Sequence, residues 1–302
     1  MKSGKDIILA ILLSVVIPGM ILRMAKPKEN VEVVDATTIM VLTGDDARRM
    51  DVEEYLVGVL LGELPGNFED ETLKAQAVAA RTFALYNKEK GWRHPNGDVC
   101  MSASCCQAYI SPESYILNGG ELATVLRMYE AASATEGQVL LYENSLIEAT
   151  YFSSSGGRTE DAQAVWGVFV PYLQSVESEE ENVSHTTQIS KVDFCQALGL
   201  PVGDVYIETP SYTNGGGVDS VCINGEWFSG MQLRQKLGLR STQISFYIEK
   251  ESVRIVTRGY GHRVGMSQYG ADVMAAGGSN YKEILQHYYR GVTIGDWPSD
   301  NN

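Results

Sequence analysis

The sequence predicts an α+β fold. An alanine-rich segment over residues 69–90 repeats Leu73, Ala77, Ala80 and Ala84 at helical spacing, the mark of a helix with one small-residue face. After residue 135 the pattern changes to short apolar or alternating runs, GQVLLY, IEATYF and ESVRIVTRG, separated by Gly-, Ser- and Asn-rich turns. Neither internal repeats nor a proline-rich hinge divide this part of the chain, so one mixed domain is expected. Composition agrees: 302 residues at 44% hydrophobic and 21% charged supply a sizeable core. Thirty glycines and sixteen tyrosines suit tight turns and a polar-aromatic surface.

The formal net charge of -14 excludes nucleic acid as a natural partner, since no basic stretch offsets the repulsive field. Residues 7–22, IILAILLSVVIPGMIL, carry no charge and are flanked by Lys2, Lys5, Arg23, Lys26 and Lys28. Sixteen residues span about 24 Å as a helix, slightly short of a hydrocarbon core of about 30 Å, until Met24 and Ala25 join and the flanking cations snorkel. A buried core helix or a cleaved signal peptide is the alternative, but no small-x-small cleavage site follows. The expected organisation is a short cytoplasmic tail (1–6), a single-pass membrane anchor (7–25), a charged linker (26–34) and one ectodomain (35–302) outside the cytoplasm.

Within the ectodomain, Asn67 reads as the N-cap of the 69–90 helix, Glu69 to Glu71 favour its positive end, and Lys88, Lys90 and Gly91 its close. Lys74 and Arg81, seven apart, share a second face. A further helix is expected near residues 282–290, and the acidic run Glu177, Glu179, Glu180, Glu181 reads as a solvated loop.

Four clusters carry chemistry. Glu63 lies between an apolar run and Pro65, where partial desolvation would raise its pKa and suit a general acid. His94, Cys100, Cys105 and Cys106 could close a tetrahedral zinc site, structural because all four positions come from protein. A disulfide from Cys100 to one of the adjacent pair, or free thiols, are the alternatives; a Cys105–Cys106 bond would be strained. Cys195 and Cys222 have no assigned role. Ser153 to Thr159 form a Ser/Gly-rich break after a strand, able to hydrogen-bond a polyol or simply to turn. Residues 259–271, GYGHRVGMSQYGA, set glycines around His262 without the lysine or spacing of a phosphate loop.

The order of Glu63-Leu64-Pro65, KAQAVAART (74–82), Cys106-Gln107-Ala108-Tyr109, the Ser/Gly turn leading to Trp166 and Pro171-Tyr172-Leu173, and VGMSQYGA (264–271) resembles the stage II sporulation protein D (SpoIID/LytB) family. The resemblance implies a fold built around a glycan groove and a lytic transglycosylase that cleaves peptide-stripped peptidoglycan strands during forespore engulfment. Glu63 matches the catalytic acid. Lys74 and Arg81 are expected to meet the lactyl carboxylate of muramic acid; Gln76, Ser153, Thr159, His262 and Gln268 are candidates for holding the sugars. A sporulation amidase or peptidase and a membrane scaffold are the implied partners, and the sporulation septum, on the mother-cell membrane, the implied location. Two positions depart from the family pattern: Arg263 where Gly is common, and Cys105 where His is frequent. Two other readings stand beside this one. A two-carboxylate muramidase would use Asp70, Glu71 or Glu160 as the second acid, and a non-catalytic peptidoglycan-binding module would stimulate an amidase.

Overall fold

The structure, a computed structural model, describes residues 38–44, 46–91, 93–180 and 184–297. The expected tail, anchor and linker lie outside the described residues, among which no helix is long and apolar enough to cross a membrane. From Thr38 onward the chain forms one compact unit, with helices and mainly antiparallel strands, as the sequence pattern predicts.

Strands β1 (Thr38–Thr43) and β2 (Asp46–Asp51) pair antiparallel, and β3 (Val99–Cys100) joins β1 in parallel. Asp51 ends β2 and caps α1 (Val52–Glu63), its carboxylate accepting the amides of Glu53 and Glu54. The uninterrupted apolar run from Tyr55 to Leu61 is buried on every face, which places α1 inside the fold. Helix α2 (Asp70–Lys90) follows and stops at Gly91, whose φ of +61° is the left-handed close that glycine favours. Its N-cap is Glu69 instead of Asn67, and no side chain of the local sequence caps it. The carboxylate of Asp272, two hundred residues on, accepts the Glu69 amide at 2.7 Å, so a tertiary partner does what the sequence assigned to a neighbour.

Helices α3 (Pro112–Leu117) and α4 (Leu122–Ala134) then lead into β4 (Gln138–Tyr142) and β5 (Ser145–Leu146). The IEATYF run is not one strand: Ile147 and Ala149 are buried but irregular, and pairing resumes only at β6 (Tyr151–Phe152). A short helix, α5 (Ala162–Trp166), follows. Next comes an insert with an apolar centre of its own, built from residues such as Phe194, Val221, Leu233 and Ile255. It comprises β7 (Ser184–Ser190), α6 (Lys191–Leu198), β8 (Ser211–Tyr212), β9 (Val218–Ile223), β10 (Glu226–Ser229), α7 (Gly230–Leu237), β11 (Gln243–Ile248) and β12 (Ser252–Arg258). Its strands form two antiparallel sheets, ordered β11-β12-β7 and β10-β9-β8.

The chain returns through β13 (Met266–Ser267), α8 (Gln268–Ala276), α9 (Tyr281–Tyr288) and β14 (Thr293–Asp296). Asn280 and Glu283 form a reciprocal cap on α9, the helix expected near 282–290. Strand β14 adds to β4, and β13 pairs in parallel with β6. Alanines 75, 77, 79, 80 and 84 of α2 are fully buried, and their small side chains let α1, α4, β4, α8 and α9 all pack against one helix.

Candidate functional site

The C-terminal end of α1 opens into a groove of about 940 Å³ with Glu63 in its wall. Two glycines one turn apart shape that end. A Cβ on Gly62 would lie 2.8 Å from the backbone of Ala108 and Tyr109, and one on Gly58 would enter the Tyr109 ring. The segment following Cys106 therefore lies flat on α1. Ile110 donates its amide to the Gly58 carbonyl at 2.9 Å, and Ala108 donates its amide to Glu63 Oε1 at 2.6 Å. Gln268, at the start of α8, donates Nε2 to Oε2 of the same carboxyl at 3.3 Å. Burial pushes the Glu63 carboxyl above the ordinary glutamate range, and these two hydrogen bonds oppose the shift without cancelling it.

Beneath the acid runs a polar chain. The buried Gln107 accepts from the Tyr55 hydroxyl at 3.0 Å and donates Nε2 to the Tyr151 hydroxyl at 2.8 Å. Tyr151 lines the groove. Burial holds its phenol well above the usual tyrosine range, and the nearby Glu63 charge adds to the shift.

His262 stands across the groove between the rings of Phe152 and Trp166, with centroids 5.7 and 5.5 Å away. Its Nδ1 accepts the Val264 amide at 3.2 Å. Burial, reinforced by the Arg234 charge, lowers its pKa to about 4, so the ring is neutral at neutral pH and acts as a wall. Gly265, with φ +86°, lets β13 approach β6, because a Cβ there would collide with the Thr150 carbonyl.

The Ser/Gly turn is fastened from inside. The carboxylate of Glu180 accepts from Ser154 Oγ at 2.8 Å, Ser155 Oγ at 3.0 Å, the Gly156 amide at 2.6 Å and Ser267 Oγ at 2.6 Å. This corrects the reading of Glu180 as part of a solvated loop. It also removes Ser154 and Ser155 from polyol binding and leaves Ser153 as the serine of this turn that lines the groove.

Of the expected site residues, Glu63, Ser153, His262 and Gln268 meet in the groove, with Cys105 and Cys106 in the same wall. Four do not. Lys74 is paired with Glu71 at 2.6 Å on the helix surface. Arg81 is buried, its guanidinium held by Glu53 at 2.6 Å and by the carbonyls of Gln138 and Ala132. Gln76 is fully buried and lies outside the groove lining. Thr159 is fully buried, its hydroxyl accepting the Val176 amide at 2.8 Å. The carboxylates offered as a second acid are likewise elsewhere: Asp70 pairs with Arg127, Glu71 with Lys74, and Glu160 with Arg263.

The groove also holds residues that the sequence did not single out as site residues: Glu148, Arg93, Tyr151, Trp166, Arg234 and Tyr260. Glu148 and Arg93 pair with each other at 2.7 Å. Tyr151, Trp166 and Tyr260 lie inside motifs that the sequence shows, but nothing local marks them as groove lining, and Arg93, Glu148 and Arg234 converge from segments far apart in the chain. Arg263 is turned away from the groove. Its φ of +67° is the conformation a glycine would take. The fully buried guanidinium meets Glu160 Oε1 at 3.2 Å and donates to the carbonyls of Ser155, Arg158 and Gly215.

The ligand atoms of His94, Cys100, Cys105 and Cys106 all lie within 4.8 Å of one another, a candidate metal-binding cluster. His94 Nε2 is 3.1 Å from Cys106 Sγ and 3.8 Å from Cys105 Sγ. All five cysteines are free thiols, so the disulfide alternative is not realised. Cys195 and Cys222 are buried in the apolar centre of the insert or beside it, as packing residues.

A family model described as stage II sporulation protein matches residues 44–142. Stage II sporulation protein D of Bacillus amyloliquefaciens is 38% identical over 259 residues, covering 81% of this chain and 74% of that protein. The protein of the same name from Bacillus subtilis (strain 168) is 36% identical over the same length and shares. The amidase enhancer of Bacillus subtilis is 26% identical, covering 79% of this chain and 40% of that protein. Glu63 and the histidine–cysteine cluster fall within the residues the family model matches, and with relatives of 36–38% identity over most of its length the chain belongs to the stage II sporulation protein D family.

Proposed function

We propose that the protein is a lytic transglycosylase of sporulation that cuts peptide-stripped glycan strands between N-acetylmuramic acid and N-acetylglucosamine during forespore engulfment. Family membership supports the sporulation role. The observation that carries the chemistry is Glu63, a carboxyl whose hold on its proton is strengthened by burial in a groove wall and which is aimed by the Ala108 amide.

Glycosidases that use water need a second carboxylate, whereas an internal nucleophile removes that need. Protonated Glu63 gives its proton to the glycosidic oxygen as the C1–O bond breaks. The 6-hydroxyl of the muramic acid then bonds to C1, and its proton returns to the Glu63 carboxylate. The products are a 1,6-anhydro end and a free 4-hydroxyl. Ser153, Gln268 and the Trp166–His262 wall are the groups placed to hold the sugars.

Three thiols and one imidazole spaced as in the cluster suit zinc, whose tetrahedral edges measure about 3.8 Å for sulfur ligands at about 2.3 Å. Zinc held by His94, Cys100, Cys105 and Cys106 would brace the segment leading to Ala108, and no chemical step passes through it. Residues 7–25 are proposed to anchor the chain in the membrane, with the rest outside the cytoplasm at the sporulation septum. The similarity to an amidase enhancer supports a partnership with an amidase that strips stem peptides.

The test is mass spectrometry of digests of stripped strands. Wild type yields anhydro ends and Glu63→Ala, still folded, yields none. The amidase-enhancer similarity also favours a second reading, a non-catalytic modifier, which predicts no cleavage by the purified protein alone. Glu148, the other groove carboxylate among the described residues, is the group a water-using mechanism would need, and reducing ends among the products would mark that course.

A further inference from the structure

Arg234 occupies the last turn of α7 and lines the groove together with Tyr260, Gly261 and His262. The helix that carries it is firmly set. Ser229 and Gln232 form a reciprocal cap at its start, Leu233 is fully buried in the insert, and Gly238 closes it with φ +62°. The guanidinium is half-buried, and among the described residues no hydrogen bond or ion pair engages it. That is unusual here. The chain carries 38 acidic side chains against 24 basic ones, and the other arginine of the groove lining, Arg93, pairs with Glu148, while Arg240 lies over the face of the Tyr260 ring at 5.6 Å.

Withdrawing a cation from water without a counter-charge is costly, and the loss is recovered when an anion enters. An arginine fork in a groove is suited to a carboxylate, which it meets with two parallel hydrogen bonds. On a glycan strand the sugars themselves are neutral. The lactyl group of muramic acid is a free carboxylate only after its stem peptide has been cut away; with the peptide in place it is an uncharged amide.

We propose that Arg234 binds the free lactyl carboxylate of muramic acid and thereby selects strands whose stem peptides have been removed. The proposal rests on the glycan-cleaving reading above and names the discriminating side chain of that groove. It replaces Lys74 and Arg81, whose charges are satisfied within the protein. Burial also depresses the Arg234 guanidinium pKa, a cost that a bound carboxylate would offset. Its charge adds to the effect of burial in keeping His262 neutral, so the groove presents one cation at this place.

The experiment measures affinity by calorimetry on the full chain carrying Glu63→Gln, with and without Arg234→Gln or Arg234→Lys. The probes are amidase-stripped strands, the same strands with lactyl carboxylates converted to methyl amides, peptide-bearing strands, and chitotetraose. Arg234→Gln is expected to weaken stripped strands by about tenfold or more and to leave the amidated strands and chitotetraose unchanged, with Arg234→Lys intermediate. Equal affinity of the parent and Arg234→Gln for stripped strands overturns the proposal. So does an equal loss on every probe, which would mean a merely structural role, or a loss confined to peptide-bearing strands, which would assign Arg234 to a stem-peptide carboxylate. If the parent binds none of the glycans, the glycan reading itself fails; if it binds them and only the Arg234 effect is missing, that reading stands without this addition.

Discussion

Ala108, two residues beyond Cys106, donates its backbone N–H to Glu63 Oε1 at 2.6 Å. The loop that gathers three thiols and an imidazole is thus the same loop that aims the acid, and α1 receives it through Gly58 and Gly62. Structural support and proton donor are one construction, and their failures should be coupled.

Gly62→Ala tests the fit. Its Cβ would fall 2.8 Å from the Ala108 and Tyr109 backbone, which has no flexible side chain to give way. Overpacking of this kind costs about 1–3 kcal/mol, and the displaced amide releases the Glu63 carboxyl. Denaturant unfolding should show the stability loss. Rates on stripped strands should fall about tenfold in kcat with little change in KM, as expected when a positioned acid is moved by fractions of an ångström.

Cys106→Ser should empty the candidate metal site. Elemental analysis is expected to find about one zinc per wild-type chain, and markedly less in the variant. Melting should drop by about 10 °C, which corresponds to about 3 kcal/mol in a domain of this size. Wild type with its zinc removed by a chelator should match the variant; an undiminished melting temperature in both would dissociate the cluster from stability.

The pH dependence of Glu63 has a fixed sign. Its pKa is raised in the folded chain, so the folded state binds the proton more tightly than the unfolded state does. The stabilisation is complete below the ordinary glutamate value of about 4.3 and is lost as pH rises through the raised folded value. Glu63→Gln is neutral throughout and still offers an oxygen to Ala108. Its melting temperature relative to wild type should therefore increase from pH 4 to pH 8, and wild-type cleavage should decline as pH rises through the same raised value.

Arg263 and Glu160 form a buried pair at 3.2 Å. Arg263→Gly relieves a positive φ but leaves Glu160 charged and buried, a loss of about 3–5 kcal/mol. Adding Glu160→Gln should restore much of it, and a double-mutant cycle by chemical denaturation reads the coupling. Additive effects would mean that the two residues act separately.

The α2 helix, the later strands, the histidine–cysteine cluster and the groove position of Glu63 were legible because each depends on neighbours within a few turns. Gly91 could be recognised as a helix stop from its position alone. The cap of α2 could not, since Asp272 comes from α8. Lys74 and Arg81 looked like a shared binding face, yet Glu71 lies within one turn of Lys74, and Glu53 reaches Arg81 from another helix. The acidic run looked solvated because nothing local tells that Glu180 meets four donors from the Ser/Gly turn and β13. Of the remaining groove residues, Trp166 and Tyr260 sit inside the recognised motifs, whereas Arg93, Glu148 and Arg234 are brought there by tertiary packing that no spacing in the sequence expresses.

The insert enters at Ser184 and leaves at Arg258, two residues before the groove-lining Tyr260. Between those joints it is clasped to the rest of the protein by the Arg263–Glu160 pair: the guanidinium reaches the Gly215 carbonyl, and Glu160 accepts the Gly217 amide at 2.9 Å. The Arg234 bank of the cleft is therefore joined to the rest of the protein partly through a hidden electrostatic clasp. Weakening that clasp would move the Arg234 bank relative to the acid while leaving the proton donor and the thiol loop where they are.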